Sequence, residues 1–431
     1  MSYCKTISQG MGFASVLLAF FMSFAAHSAE ENLVFDAEAV FKQAMEDRDA
    51  GNYFKSIEAF QSILSNQPRL HRARLELAVT YFRNLSYKEA LQQAALVIKD
   101  PKTPPNVRAT VLAFAAQVKN DMDKFKKKGG EVKWDAALGF MTDSNVNVGP
   151  DNADLGGNLT LASGSLEKSD EAILLSVALN HVYNTGKKLQ FGQKQASLTW
   201  QSKASLYRRQ YLNFSDFDLT VLSGSTGPGF LSFGNWRANI DVRGDLIYLK
   251  NDKLASFWSV APSVSWSSKN KTAEITWDGS VMEKRFSRPI DQGRDSKVLS
   301  GGVAFGMIMA KGKIATQVGI NVFDERAVDN QYQNHGHVYF VAASWKVFKD
   351  SVFFAKFSNK KYDYDGVVPV FNVARNDTER RYNMGYNIAL SGETFKDWNL
   401  RIEAALTENK SNVLLYDYDR SQTSFTLSRS F

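Results

Sequence analysis

Ala196-Ser197-Leu198-Thr199-Trp200-Gln201-Ser202-Lys203-Ala204-Ser205-Leu206 is apolar at most even positions and polar at every odd one. A two-residue period places the two sets on opposite faces of an extended strand. The same pattern recurs downstream. Ile240, Val242, Leu246 and Tyr248 oppose Asn239, Asp241, Arg243 and Asp245; Trp258, Val260, Val264 and Trp266 oppose Ser259, Ser263, Ser265 and Ser267. Ile275, Trp277 and Val281 oppose Glu274, Thr276, Asp278 and Ser280, and Trp398, Leu400, Ile402 and Leu406 oppose Asn399, Arg401, Glu403 and Thr407. A soluble sandwich alternates too, but it turns its apolar face to a second sheet. Here the apolar faces carry tryptophan or tyrosine near strand ends, as lipid-facing strands do at the two membrane interfaces.

Working outward, fourteen strands are expected, centred near residues 138, 178, 200, 220, 242, 262, 278, 304, 318, 342, 356, 385, 402 and 426. Connections after odd strands include long ones at Ser144–Glu171, Ser287–Ser296, Glu325–Gly336, Tyr364–Thr378 and Asn409–Ser421. Those after even strands include tight turns at Ser268–Lys271, Lys311–Lys313 and Lys349-Asp350. Long outside and short inside is the habit of bacterial barrels, so both barrel ends are expected in the periplasm. The connections near residues 214 and 252 are shorter than that habit. Phe425, Leu427 and the terminal Phe431 alternate on the last strand and read as the signal recognised by barrel-assembly machinery.

Upstream, the period changes near residue 130. From Asp36 to about Asp123 apolar residues recur at helical spacing. Phe41, Ala44 and Tyr53 are matched 34 residues later by Leu75, Ala78 and Tyr87, and Ile63-Leu64 by Val97-Ile98. That period resembles the tetratricopeptide helix-turn-helix. Asn106–Lys119, behind Pro104-Pro105, reads as the helix that covers the open end. His71, Arg72 and Arg74 are a candidate partner face of these repeats, the alternative being the solvated side of a helix. Lys124 to Lys128 and Gly129-Gly130 read as a helix end and linker.

Met1 to Ala29 has the layout of a secretory signal: Lys5, an apolar run from Met11 to Ala26, and small residues ending at Ser28 and Ala29, where cleavage is expected. The domains are then a signal peptide at 1–29, a periplasmic helical domain at 30–128 and a transmembrane β-barrel at 129–431. The formal charge of +7 becomes +6 without Lys5. Export removes nucleic acid as a partner for so mildly basic a chain. The one cysteine, Cys4, precedes the apolar run, so lipoprotein acylation, disulfides and cysteine-held metals are excluded. No cofactor and no catalytic constellation is expected. His181 lies on the apolar face of its strand. His335-Gly336-His337 lacks a third metal ligand. Tyr362-Asp363-Tyr364-Asp365 and Tyr416-Asp417-Tyr418-Asp419 read as aromatic-girdle ends with solvated acids in two outer loops.

Inward-facing positions carry both signs at Asp241, Arg243, Asp245, Glu274, Asp278, Arg401 and Glu403. A mixed lumen suits a polypeptide conduit or a plugged barrel; the plainer reading is that the charges solvate the interior. Asp143, Ser144, Asn145 and Asn147, just past the first strand, read as caps that bond local backbone, with substrate contact as the alternative.

The chain resembles the surface lipoprotein assembly modifiers, or Slam proteins, described as outer-membrane translocons of a type XI secretion system. The resemblance rests on Ala73-Arg74-Leu75-Glu76-Leu77-Ala78 with Tyr81-Phe82, on Pro104-Pro105-Asn106-Val107-Arg108, and on the barrel opening Gly139-Phe140-Met141-Thr142-Asp143-Ser144-Asn145-Val146-Asn147. It also rests on the order of short helical repeat, then barrel. It implies a protein of the cell outer membrane, with an N-terminal periplasmic domain, that exports a partner. That partner would be a lipoprotein or a soluble haem-carrying protein ending in a small barrel. The expected partners are this exported substrate, the barrel-assembly machinery and outer-membrane lipid, with periplasmic chaperones admissible. A polysaccharide-export barrel and a passive porin are the alternatives.

Overall fold

The computed structural model describes residues 35–126, 129–155, 159–232 and 235–431. The cleavage residues Ser28 and Ala29 lie outside the described residues. Among the described residues five helices precede the strands: α1 (Ala37–Ala50), α2 (Tyr53–Asn66), α3 (His71–Arg83), α4 (Tyr87–Lys99) and α5 (Pro105–Lys126). The expected repeat is visible in their placement, since α1 and α3 begin at residues 37 and 71, and α2 and α4 at 53 and 87. Small residues let paired helices approach, and Ala44 and Ala78 are fully buried at matching positions beside Ile63 and Val97. Phe41 meets Phe60 edge to face at 5.5 Å. Helix α5 covers the open end by burying Val111 and Val118 and setting Phe114 against Phe82 at 5.8 Å. Burial of side chains this size contributes about 1.5–3 kcal/mol each.

The repeat extends to the turns. Gly51 ends α1 in the left-handed conformation at φ 81°, and the N–H of Asn52 reaches the Asp47 carbonyl at 2.7 Å. One repeat later Leu85 adopts φ 60° and the N–H of Ser86 reaches the Tyr81 carbonyl at 2.8 Å. Glycine takes that conformation without strain, whereas leucine pays about 1–2 kcal/mol for it.

The strands are β1 (Gly129–Asp143), β2 (Asp170–Phe191), β3 (Lys194–Tyr211), β4 (Leu219–Ser232), β5 (Trp236–Leu249), β6 (Asp252–Ser267) and β7 (Ala273–Phe286). They continue with β8 (Ser296–Met309), β9 (Ile314–Ala327), β10 (Asn334–Phe348), β11 (Ser351–Val368), β12 (Val373–Ala389), β13 (Trp398–Ser411) and β14 (Tyr418–Ser430). Every expected centre falls inside its strand. Each strand pairs antiparallel with its sequence neighbours, and β14 returns to β1 to close the barrel. Closure leaves no sheet edge along the barrel wall, which is the condition for crossing lipid with strands. The fold is that of an outer-membrane barrel. At the seam Leu138 lies opposite Leu427 and Phe140 opposite Phe425, and Phe431 stacks on Trp134 at 3.9 Å.

The end where β1 starts and β14 stops is called the near end, and the opposite one the far end. Register places all eight tryptophans on the outer face. Trp134, Trp200, Trp236, Trp266, Trp277, Trp345 and Trp398 lie in the near-end half of their strands; only Trp258 is nearer the middle.

Of the long connections, 144–169 and 287–295 stand as expected. Three others shrink, to 328–333, 369–372 and 412–417. Tyr362 and Tyr364 therefore lie within β11, not in a loop. Beyond the lipid both faces of a strand meet polar surroundings, so alternation stops before the strand does. The tyrosines do not form a lipid-facing girdle either, because Tyr362, Tyr364 and Tyr418 turn into the lumen.

Candidate functional site

The near end carries the joint between helices and barrel, and the β2–β3 hairpin makes it. A helix start leaves several N–H groups without partners, and Asn52 offers α2 no side-chain cap. Gln193, at the hairpin tip, supplies them from the barrel: its carbonyl accepts from Tyr53 N at 3.1 Å and its Oε1 from Lys55 N at 3.2 Å. The hairpin backbone also donates, from Gln195 N to Asn84 Oδ1 at 3.0 Å. Asn184 Nδ2 donates to the Phe125 carbonyl at 3.0 Å, closing the last turn of α5. Lys188 donates to the carbonyl of left-handed Leu85, with its ammonium 5.6 Å from the Tyr87 ring and 5.5 Å from that of Phe125. Gly51 sits so close to the hairpin that a Cβ there would come within 2.7 Å of the Lys194 side chain.

Held this way, the helices leave a cleft of 1020 Å³ between themselves and the near-end mouth of the barrel. Its walls come from the α1–α2 and α3–α4 turns, from α5, and from the near-end turns after β2, β4 and β6. Arg83 is paired with Asp49 at 3.2 Å and Arg237 with Glu274 at 2.6 Å; Arg48 is paired with Glu76. Lys124, Lys194, Lys269 and Lys271 also line the cleft and have no ion-pair partner among the described residues.

Strand register turns all seven expected lumen residues inward: Asp241, Arg243 and Asp245 on β5, Glu274 and Asp278 on β7, and Arg401 and Glu403 on β13. Most are locally paired. Arg243 meets Asp241 at 3.2 Å, Ser223 donates to Asp245 at 2.5 Å, and Arg401 meets Glu403 at 2.8 Å. Asp241, Glu274 and Glu403 thus each have an arginine partner, so these inward charges do not form a ring of one sign.

Towards the far end the lumen holds a second cavity of 860 Å³. Sequence reading missed its central feature: the Arg375 guanidinium lies 3.8 Å from the ring of Tyr364 and 3.9 Å from that of Tyr416, with Asp377 at 3.2 Å. Arg375 and Asp377 share β12, whereas Tyr364 comes from β11 and Tyr416 from the 412–417 loop, so no local pattern brings the rings to the guanidinium. Val148, from the long 144–169 connection, also reaches this cavity.

Asp143, Ser144, Asn145 and Asn147 anchor that connection. Asp143 is buried and takes two bonds from Arg420, at 2.9 and 2.5 Å, one from Tyr211 Oη at 2.7 Å and one from Gln422 at 2.9 Å. Ser144 Oγ accepts from Ser421 N at 2.8 Å. Asn145, wholly buried, donates to the carbonyls of Gly149 and Asp419 at 2.8 and 3.0 Å. Asn147 donates to the Leu166 carbonyl at 2.7 Å and accepts from Lys168 N at 2.9 Å. Each contact is made within the barrel's own far-end rim.

The polar set on α3 is engaged inside the helical unit. His71 Nε2 lies 2.8 Å from Asp100 Oδ2, and Arg74 donates to Gln93 and to the Pro68 carbonyl at 2.9 and 2.6 Å. The exposed Arg72 covers the Phe41 ring at 4.7 Å. The backbone N–H of Lys102, and then the His71 ring, hold the Asp100 carboxyl below its usual range. His335 and His337 share the outer face of β10, with His335 Nδ1 3.4 Å from Asp365.

Neither a family model nor a curated protein matches this sequence. Solved barrels do. The outer membrane channel DcaP of Acinetobacter baumannii is 9% identical, with 70% of this chain and 98% of that one covered at a TM-score of 0.41. OccAB4 of the same organism is 9% identical over 71% of this chain and 100% of its own, at 0.35. Pseudomonas aeruginosa OprD is 9% identical over 71% and 97%, at 0.37. The superpositions are too loose to carry over anything those proteins transport.

Proposed function

We propose that this protein is an outer-membrane translocon that delivers a specific polypeptide, a lipoprotein or a soluble carrier protein, to the cell surface or medium. In this reading the helices lie in the periplasm and receive the substrate or its chaperone. The observation that carries it is the joint: a helical unit capped by a barrel hairpin and held beside the mouth, with a cleft between the two. A passive pore has no need of such a receiver. The mixed, locally paired lumen supports the same reading, because a chain with side chains of both signs meets no single-sign trap.

Deleting the gene in its native host and assaying surface and medium for a co-encoded small exported protein tests the proposal. The expected result is retention of that protein inside the cell, restored by the wild-type gene. Unchanged display in the deletion strain overturns it.

A further inference from the structure

We infer that the cleft between the helices and the near-end mouth is a docking site for an extended, acidic polypeptide segment. The inference rests on the translocon reading for its biological meaning, but its chemistry stands on the cleft. Three arginines in the wall already have carboxylate partners. Four lysines have none among the described residues: Lys124 from α5, Lys194 at the start of β3, and Lys269 and Lys271 from the β6–β7 turn. Among the described wall residues only Asp121 is an acid without an ion-pair partner, so the cleft keeps an uncompensated positive field. Cations converging from three separate elements on one concave space focus that field inward.

Two further observations favour polypeptide. Ser232, in the cleft wall, has a buried hydroxyl with no hydrogen-bond partner among the described residues, which a rotation about its Cα–Cβ bond would offer to a peptide group. Leu231, 55% exposed, gives the same wall apolar surface. A lipid headgroup is disfavoured by position, since the cleft lies between the helices and the lumen opening and not on the lipid-facing wall.

The test uses the full chain in neutral detergent and follows anisotropy of a fluorescein-labelled Asp/Gly/Ser peptide and its Asn/Gly/Ser counterpart. Wild type is expected to bind the acidic probe about tenfold tighter than the neutral one, with affinity falling as salt rises. Lys194→Gln/Lys269→Gln/Lys271→Gln is expected to abolish that preference. Lys269→Gln/Lys271→Gln, which leaves the hairpin joint intact, should remove part of it. Lys311→Gln/Lys313→Gln/Lys349→Gln, on other near-end turns, should keep it. Unchanged preference in the first triple variant, equal loss in the control triple, or displacement of the probe by short-chain phosphatidylglycerol at equal charge overturns the inference. Export separates the two readings. Normal export by the first triple variant, with export lost on gene deletion, sinks the acidic dock and keeps the translocon; probe binding as expected with export unaffected by deletion does the reverse.

Discussion

Replacing Lys188 with alanine should loosen the helices from the barrel without unfolding either. The side chain joins the hairpin to the α3–α4 turn through the Leu85 carbonyl and the rings of Tyr87 and Phe125. A hydrogen bond from a charged donor is worth about 1.5–3 kcal/mol, and each cation–π contact at a partly exposed site about 0.5–1 kcal/mol. Regained rotamer freedom offsets about 1 kcal/mol of this. The net loss is about 1.5–4 kcal/mol, or roughly 10- to 1,000-fold in the docking equilibrium. The remaining bonds from Tyr53, Lys55, Gln195 and Asn184 should keep docking measurable. Hydrogen exchange at the Tyr53, Lys55 and Gln195 amides is the assay, because those donors lose their partners only when the joint opens. Exchange should accelerate by the same factor in Lys188→Ala and by less in Lys188→Arg. If protection at these three amides is unchanged in the alanine variant, Lys188 is not a clamp and the account of the joint is wrong.

Two further outcomes follow from contacts elsewhere. Asp143→Asn leaves the half-buried Arg420 without its counter-charge and should cost up to about 3 kcal/mol; proteolysis within 144–169 should quicken and the barrel's heat-unfolding midpoint should fall, and an unaltered cleavage rate would contradict the anchoring role. The Asp100 carboxyl is depressed in the folded state, so its stabilisation is complete above the ordinary carboxylate range and is lost as pH falls through the lower folded value. Helical circular dichroism should therefore melt earlier on acidification in wild type, and Asp100→Asn should flatten that part of the profile; parallel profiles would refute the linkage.

The barrel was legible because lipid and lumen impose opposite demands on alternate residues, as Trp258 and Ser259 show side by side. The helical repeat was legible in residues such as Ala44 and Ala78, whose size is set by helix approach. The loss of legibility began where both faces of a strand become polar, which is why Tyr362 and Tyr364 read as loop. The joint could not be read at all. Phe191-Gly192-Gln193-Lys194 looks like an ordinary tight turn, and nothing local shows that Gln193 caps a helix more than a hundred residues away. The same holds for the cleft: Lys124, Lys194, Lys269 and Lys271 each look like a solvated terminus or turn until the chain brings them together.

The placement of tryptophan makes the two halves of the protein spectroscopically separate. The helical unit contains none, and seven of the eight indoles sit in one band at the near end. Intrinsic emission therefore reports the lipid environment of a single leaflet and is silent about the helices. Brominated lipids delivered to one leaflet would quench it asymmetrically, giving the orientation of the barrel in a vesicle without a label or a tag.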